Sequence, residues 1–207
     1  MVTSRWTAAP ARAASPRRRG VVLERAILES ALEQLGEVGW KGLTMEGVAA
    51  GAQTGKAAVY RRWPSKEDLV ADALVAGLPP VGTAPDFGSV REDLLALCRR
   101  VRQIMYSRPG VALRSVIHEC DQVQAERFHE VIVGGVVEPT VKLLGEVIAR
   151  GIERGEVRPD AANGYVFDAV PAMMMYRSKM CTSEWSDRDL EEMIDQLMLP
   201  LLRPCRG

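Results

Sequence analysis

Apolar residues in this chain recur at intervals of three and four, and scarcely anywhere at intervals of two. Ile27, Leu28, Ala31, Leu32 and Leu35 form one such stripe, and Leu94, Leu97, Cys98, Val101, Ile104 and Met105 a second. Leu190, Met193, Ile194, Leu197, Met198 and Leu201 form a third. That period follows the 3.6-residue helical turn, so each stripe is one face of an α-helix. A half-buried strand needs alternation instead. The sequence predicts an all-α fold of about nine helices.

Local signals place the boundaries. The first helix ends near Gly39. Thr44 suits the N-cap of a short helix through Ala52. A second short helix runs from Gly55 to about residue 62, because Pro64 disfavours helix at Trp63. Ser65, with Glu67 and Asp68 behind it, caps a helix that fades by Gly77. The Gly- and Pro-rich stretch over 77–89 reads as a linker. The second stripe closes at Pro109-Gly110, and a short helix covers 111–120. A long helix is expected over about 124–154, kinked near Gly134, Gly135 and Pro139. After a turn over 154–160, residues 162–181 form a helix that is apolar around most of its girth.

The formal net charge is zero, with 27 basic and 27 acidic residues, but the charges are segregated. Residues 1–66 hold 11 basic and 5 acidic side chains, leaving 16 basic and 22 acidic beyond. An anion-binding front attached to an acidic body follows. The four cysteines, Cys98, Cys120, Cys181 and Cys205, show no paired spacing and read as reduced thiols of a cytoplasmic protein. The longest near-apolar run, 165–176, contains Asp168 and is too short to cross a bilayer. The first 19 residues carry five arginines and no acid, without a signal peptide's apolar middle. They read as a flexible basic arm, with an organellar transit peptide as the other reading.

The basic front concentrates in "TGKAAVYRRWPSKEDL", residues 54–69. Two short helices joined by a tight turn and preceded by a longer one make a helix-turn-helix. Lys56, Ala57, Tyr60 and Arg61 then share the outer face of the second short helix, while Val59 turns inward toward Val48. Ala57 and Ala58 keep that surface low enough for the backbone to approach a groove and touch a thymine methyl. Gly55 exposes N–H groups suited to a phosphate, and Lys56 adds charge there. The Tyr60 hydroxyl can donate to phosphate, and Arg61 can pair with a guanine edge. Thr44 is placed near the DNA backbone, and Gln53 and Thr54 complete the DNA-facing turn. A solvated basic face is the plain alternative. A nucleotide-binding loop is a poorer fit, since Ala50 and Ala57 replace its first Gly and its Ser/Thr and no strand precedes it.

Leu43-Thr44-Met45, Val48-Ala49, Gly55-Lys56 and the run Val59-Tyr60-Arg61-Arg62-Trp63-Pro64-Ser65-Lys66-Glu67-Asp68-Leu69 resemble the amino-terminal domain of the TetR family of bacterial repressors, over about residues 21–75. The resemblance implies a homodimer whose first three helices bind a palindromic operator in double-stranded DNA, and whose variable body binds an inducer. It places Thr44, Lys56, Tyr60 and Lys66 at DNA-backbone positions, and Ala57, Ala58 and Arg61 where bases are read. Two residues depart from the pattern: Gln53 stands where the turn has Gly, and Gly55 where it has Ser. Either Gln53 therefore sits in a left-handed conformation, at a cost of roughly 1 kcal/mol, or the turn takes a different form. Arg17, Arg18 and Arg19 could follow phosphates or enter a minor groove; the alternative is a tail with no role. The domain reading is an arm over 1–20, a DNA-binding head over 21–68 and a ligand-binding, dimerising body over 69–207.

Two features of the body bear on function. The helix over 162–181 is too apolar for a single core stripe, so a second copy is expected against it and the last helix. Val166, Val170, Ile194, Met198 and Leu201 are the expected interface. A two-fold dimer would set its reading helices about 34 Å apart or at a related spacing. The expected pocket for a small, hydrophobic inducer is lined by Met105, Leu113, Ile117, Phe128, Met173, Met174 and Tyr176, methionine being adaptable to varied apolar ligands. Met and aromatic residues at helical spacing are more often core than pocket, which is the plain alternative for each. Trp185 could cap that pocket or sit at the dimer seam. His118, Glu119, Cys120 and His129 lack metal-ligand spacing, so no metal or other cofactor is expected. An all-α enzyme is the rival class, but Cys120 near His118 is the nearest approach to a nucleophile and base. The leading reading is a repressor released from its operator by a ligand; an activator of the same fold remains open.

Overall fold

The computed structural model describes residues 20–119, 128–180 and 184–204, which contain helices, turns and no strand. Helices α1 (Val21–Gly42), α2 (Met45–Gly51), α3 (Lys56–Tyr60) and α4 (Lys66–Gly77) come first. Helices α5 (Val90–Tyr106) and α6 (Arg108–Glu119) follow the linker. Helix α7 spans 128–153 and includes a π turn at Val133–Val137. Helix α8 is Gly164–Met180, and α9 spans 187–202 through a second π turn at Ile194–Met198. No described helix is long and apolar enough to cross a membrane.

Helix starts follow the predicted chemistry. The Thr44 hydroxyl accepts from the Gly47 amide at 3.1 Å, and the Ser65 hydroxyl from the Asp68 amide at 3.1 Å. Each satisfies an N–H with no partner inside its helix. Ser89 and Ser186 do the same for α5 and α9.

The buried side chains form two clusters. Leu94, Leu97, Leu144, Ile148, Val170 and Ile194 belong to one, built from α5, α7, α8 and α9. Ile27, Leu35, Val48, Val59, Leu69 and Val116 belong to the other, built from α1 to α4, α6 and the start of α7. Helix α6 thus packs with the first four helices although it follows the linker. The linker itself is held down: Arg100 donates to the carbonyl oxygens of Val81 at 2.9 Å and Thr83 at 2.5 Å, and the Phe87 amide donates to buried Asp93 at 2.6 Å. Helices α5 and α6 meet at a corner where Gly110 lies against the carbonyl oxygens of Ile104 and Met105. A methyl group at that glycine would fall on backbone atoms.

The interruption expected near Gly134, Gly135 and Pro139 takes the form of a π turn. Proline has no N–H and its ring crowds the carbonyl four residues back. Widening the turn relieves both: the Glu138 amide reaches the Val133 carbonyl, and the Thr140 hydroxyl donates to the Val136 carbonyl at 2.7 Å. The second π turn stands in the same relation to Pro200 and corrects the third sequence stripe. One extra residue in that turn moves the inward face on by one position. Leu199 and Leu202 are buried, whereas Leu201 is 36% exposed.

Candidate nucleic-acid interface and ligand cavity

Helix α1 is the platform for the DNA-reading pair. Its Ser30 hydroxyl donates to the Val48 carbonyl at 3.1 Å, and Gly47 and Gly51 of α2 lie against Gln34 and Ser30. A methyl group at Gly51 would fall on the Ser30 hydroxyl, whereas one at Gly47 would meet the movable end of Gln34. The turn from α2 to α3 passes through Gln53 at φ 55°, which is the left-handed one of the two alternatives. Val59 and Trp63 are buried, and the Trp63 indole N–H donates to Asp72 at 2.8 Å, fixing the end of α3 to α4.

With Val59 turned inward, the helical step leaves Lys56, Ala57, Tyr60 and Arg61 exposed on α3, Tyr60 to 41%. Gly55 is also exposed, and Thr54 and Ala58 are partly so. The Lys56 ammonium pairs with the Glu46 carboxylate of α2 and lies 5.3 Å from the centre of the Tyr60 ring. That hydrogen bond holds the Glu46 carboxyl below its ordinary range and the Lys56 ammonium above its own. Thr44 is exposed beside this surface with its hydroxyl engaged as a cap. Arg17, Arg18 and Arg19 lie outside the described residues.

Lys66 has a different setting from the one the resemblance implied. Its ammonium donates to the Trp40 carbonyl at 2.8 Å and stands 4.1 Å from the Trp40 ring centre. A cation is favoured there, because the last carbonyls of α1 have no partner within the helix. Lys66 therefore serves the internal joint between α1 and α4.

The same joint binds α6. Helix α1 bends at Gly39, with φ 72° and ψ −179°. Past the bend, the Trp40 amide donates to the Ser115 hydroxyl at 3.2 Å and the Lys41 amide to the Glu119 carboxylate at 3.0 Å. Ser115 in turn donates to Glu119 at 2.9 Å. These bonds, the Lys41 amide first, hold the Glu119 carboxyl below its ordinary range. In sequence Glu119 stands out only beside His118 and Cys120 as a metal-type residue, and Ser115 not at all; their spacing of four on α6 is the available signal.

On its other side α6 lines a cavity of about 100 Å³. Of the seven expected pocket residues, Met105, Leu113, Ile117 and Met174 lie on its wall, joined by Ile132 and Val136 of α7. Three do not. Phe128 is buried against Trp40, ring centres 5.2 Å apart, because the start of α7 packs on the first four helices. Met173 packs against the body core, and Tyr176, 63% exposed, points out of the molecule. Trp185 is buried in the body core, its amide donating to the Tyr106 hydroxyl at 3.0 Å.

The expected dimer residues need a similar correction. Val166, Val170, Ile194 and Met198 are buried within the single chain, since their stripe is the one that faces its own core. The outward face of α8 carries Tyr165, Ala172, Met175, Tyr176 and Met180 instead. No group of three or more metal-ligating side chains occurs among the described residues. Cys98 is buried and its thiol is pushed up to about 12 by that burial, so it is an inert core residue.

Known proteins share this fold. Residues 27–73 match the family described as bacterial regulatory proteins, tetR family, and residues 84–197 match the tetracyclin repressor-like C-terminal domain. The chain is 31% identical over 188 residues to an HTH-type transcriptional regulator of Mycobacterium tuberculosis, covering 89% of this chain and 90% of that one. It is 27% identical over 187 residues to the DNA-binding transcriptional repressor TetR of Mycobacteroides abscessus, covering 90% and 97%. Among solved structures, NalD of Pseudomonas aeruginosa, the secondary repressor of the MexAB-OprM multidrug efflux pump, has a TM-score of 0.64 at 21% identity over 89% of this chain and 98% of that one.

Proposed function

We infer the function from one premise: this chain belongs to the TetR family of bacterial regulatory proteins, and is a DNA-binding transcriptional regulator. We propose that it is a cytoplasmic, non-enzymatic repressor that binds a palindromic operator as a homodimer and is released by a small apolar molecule. Residues 21–68 act as the DNA-reading head, 69–207 as the ligand-binding and dimerising body, and 1–20 as a basic arm on the duplex.

The observation that carries this reading is the face of α3. Lys56, Tyr60 and Arg61 are exposed together while Val59 anchors the helix from behind. Lys56 and Tyr60 suit phosphate oxygens, and Arg61 suits the paired acceptors of a guanine edge. Exposed apolar side chains on α8 supply a surface for a second copy, for which a lone soluble helix has little use. The cavity supports the release step, because α6 forms its wall and also holds the bend in α1. A ligand that binds the DNA-incompetent state about a hundredfold more tightly weakens operator binding by the same factor.

The test is a gel shift with DNA from upstream of the protein's own gene. One saturable complex is expected, weakened by Lys56→Ala and by Tyr60→Ala. If both variants leave the complex unchanged, α3 is not the reading helix.

A further inference from the structure

We propose that the cavity takes an amphiphile with an anionic oxygen head, a carboxylate by preference, and that Arg114 and Lys179 hold the head while the apolar wall takes the tail. The inference rests on the ligand-released reading above and names the chemistry of the ligand.

The wall itself is apolar. Val101, Ile104, Leu113, Ile117, Ile132 and Met174 contribute to it from α5, α6, α7 and α8. Thr140 lies among them, but its hydroxyl is already donated to the Val136 carbonyl. The remaining polar side chains are Arg114 and His118 of α6 with Ser178 and Lys179 of α8. No aspartate or glutamate is among the described residues lining the cavity. Nor does any described carboxylate pair with Arg114, His118 or Lys179, although most other arginines of the body have such a partner.

That imbalance is informative in a body whose charge is otherwise acidic. Arg114 keeps its guanidinium over the Tyr106 ring, 4.6 Å from the ring centre. Stacking there orients the guanidinium fork without using its N–H groups on a carboxylate. Positions 114 and 118 stand one helical turn apart on α6, and Lys179 belongs to the last turn of α8. Two helices therefore bring cations to one apolar cavity. A neutral ligand would leave those donors to water, whereas a carboxylate head receives charge-assisted hydrogen bonds from them. A cationic ligand would meet like charge.

The experiment measures binding of octanoate, octanol and octylamine to the full-length protein by calorimetry, with an operator gel shift run in parallel. The three share a tail and differ in head charge. Octanoate is expected to bind about tenfold more tightly than octanol, and octylamine more weakly than either. Arg114→Gln with Lys179→Gln should bring octanoate down to the level of octanol and leave octanol unchanged. Lys179→Gln alone, at an exposed position, should give part of that loss and guards against misfolding of the double variant. Equal binding of octanoate and octanol, no binding of any of the three, or indifference to both variants overturns the proposal. The gel shift separates the two ideas. If octanoate binds but the operator complex persists, the anion site stands and the release reading falls. If only a neutral molecule binds and dissolves the complex, release stands and the anion site falls.

Discussion

The ammonium of Lys66 donates to the carbonyl oxygen of Trp40 at 2.8 Å, so a residue at the start of α4 closes the end of α1. Its charge is partly spent inside the head. Lys66→Met keeps the packing and removes the bond. We expect a loss of about 1 kcal/mol in urea unfolding. The slope of log affinity against log salt should stay unchanged, while Lys56→Ala should reduce that slope by about one unit. A reduced slope for the Lys66 variant would return it to the phosphate-contacting set.

On the reading that Lys56 meets a phosphate, Glu46 would compete with DNA for it. The two are paired in the unbound head, and the hydrogen bond to Lys56 holds the Glu46 carboxyl below its ordinary range. Glu46→Gln is expected to tighten binding to any duplex a few-fold, without altering sequence preference. The melting temperature should not move, because both side chains are largely exposed. Competition gel shifts with unrelated DNA read the effect, and weaker binding would contradict it.

The Glu119 carboxyl, held down chiefly by the Lys41 amide and then by Ser115, carries a pH signature. A depressed carboxyl contributes stability that is complete above its ordinary value and disappears as pH falls through its lowered one. Glu119→Gln should therefore be less stable than the parent at neutral pH, and the gap should close in acid. Urea unfolding at both ends of that range measures it; a gap that widens in acid would exclude this role for the carboxylate.

The exposed face of α8 makes a separate prediction. Tyr176→Glu should yield a folded monomer in sedimentation at micromolar concentration, with unchanged helical circular dichroism. Val170→Ala, inside the subunit, should instead cost about 1–2 kcal/mol of stability and leave the dimer intact at low denaturant. The reverse pattern would put the second copy elsewhere.

Much of this architecture was legible in the residues. Thr44 and Ser65 announced their helices because a cap needs only local atoms, and Gln53 betrayed its left-handed turn by standing where glycine is usual. The misreadings arose from longer-range causes. The stripe through Leu201 assumed an unbroken 3.6-residue period, and the π turn before Pro200 moved burial to Leu199 and Leu202. Phe128 was placed by its apolar character alone, and nothing in the sequence indicated that the start of α7 meets Trp40. Lys66 was placed on DNA by its neighbours in a motif, and that motif carried no sign of its bonds to backbone carbonyls 23 and 26 residues earlier. The assignment of Val166 and Val170 to a second copy failed because one apolar face looks the same in sequence whether a core or a partner covers it.

The corner at Gly110 has no room for a Cβ, so the first turn of α6 sits close against the end of α5. On the ligand-release reading, a molecule pressing on Leu113 and Ile117 would tip the helix about that corner, with a displacement that grows along its length. Glu119 lies about 13 Å farther along the axis. On that reading the bond from the Lys41 amide to Glu119 stands at the tip of a lever whose fulcrum is a single glycine, with the Ser115 bond nearer its middle, and a small intrusion near the pivot would be magnified toward the end that holds α1.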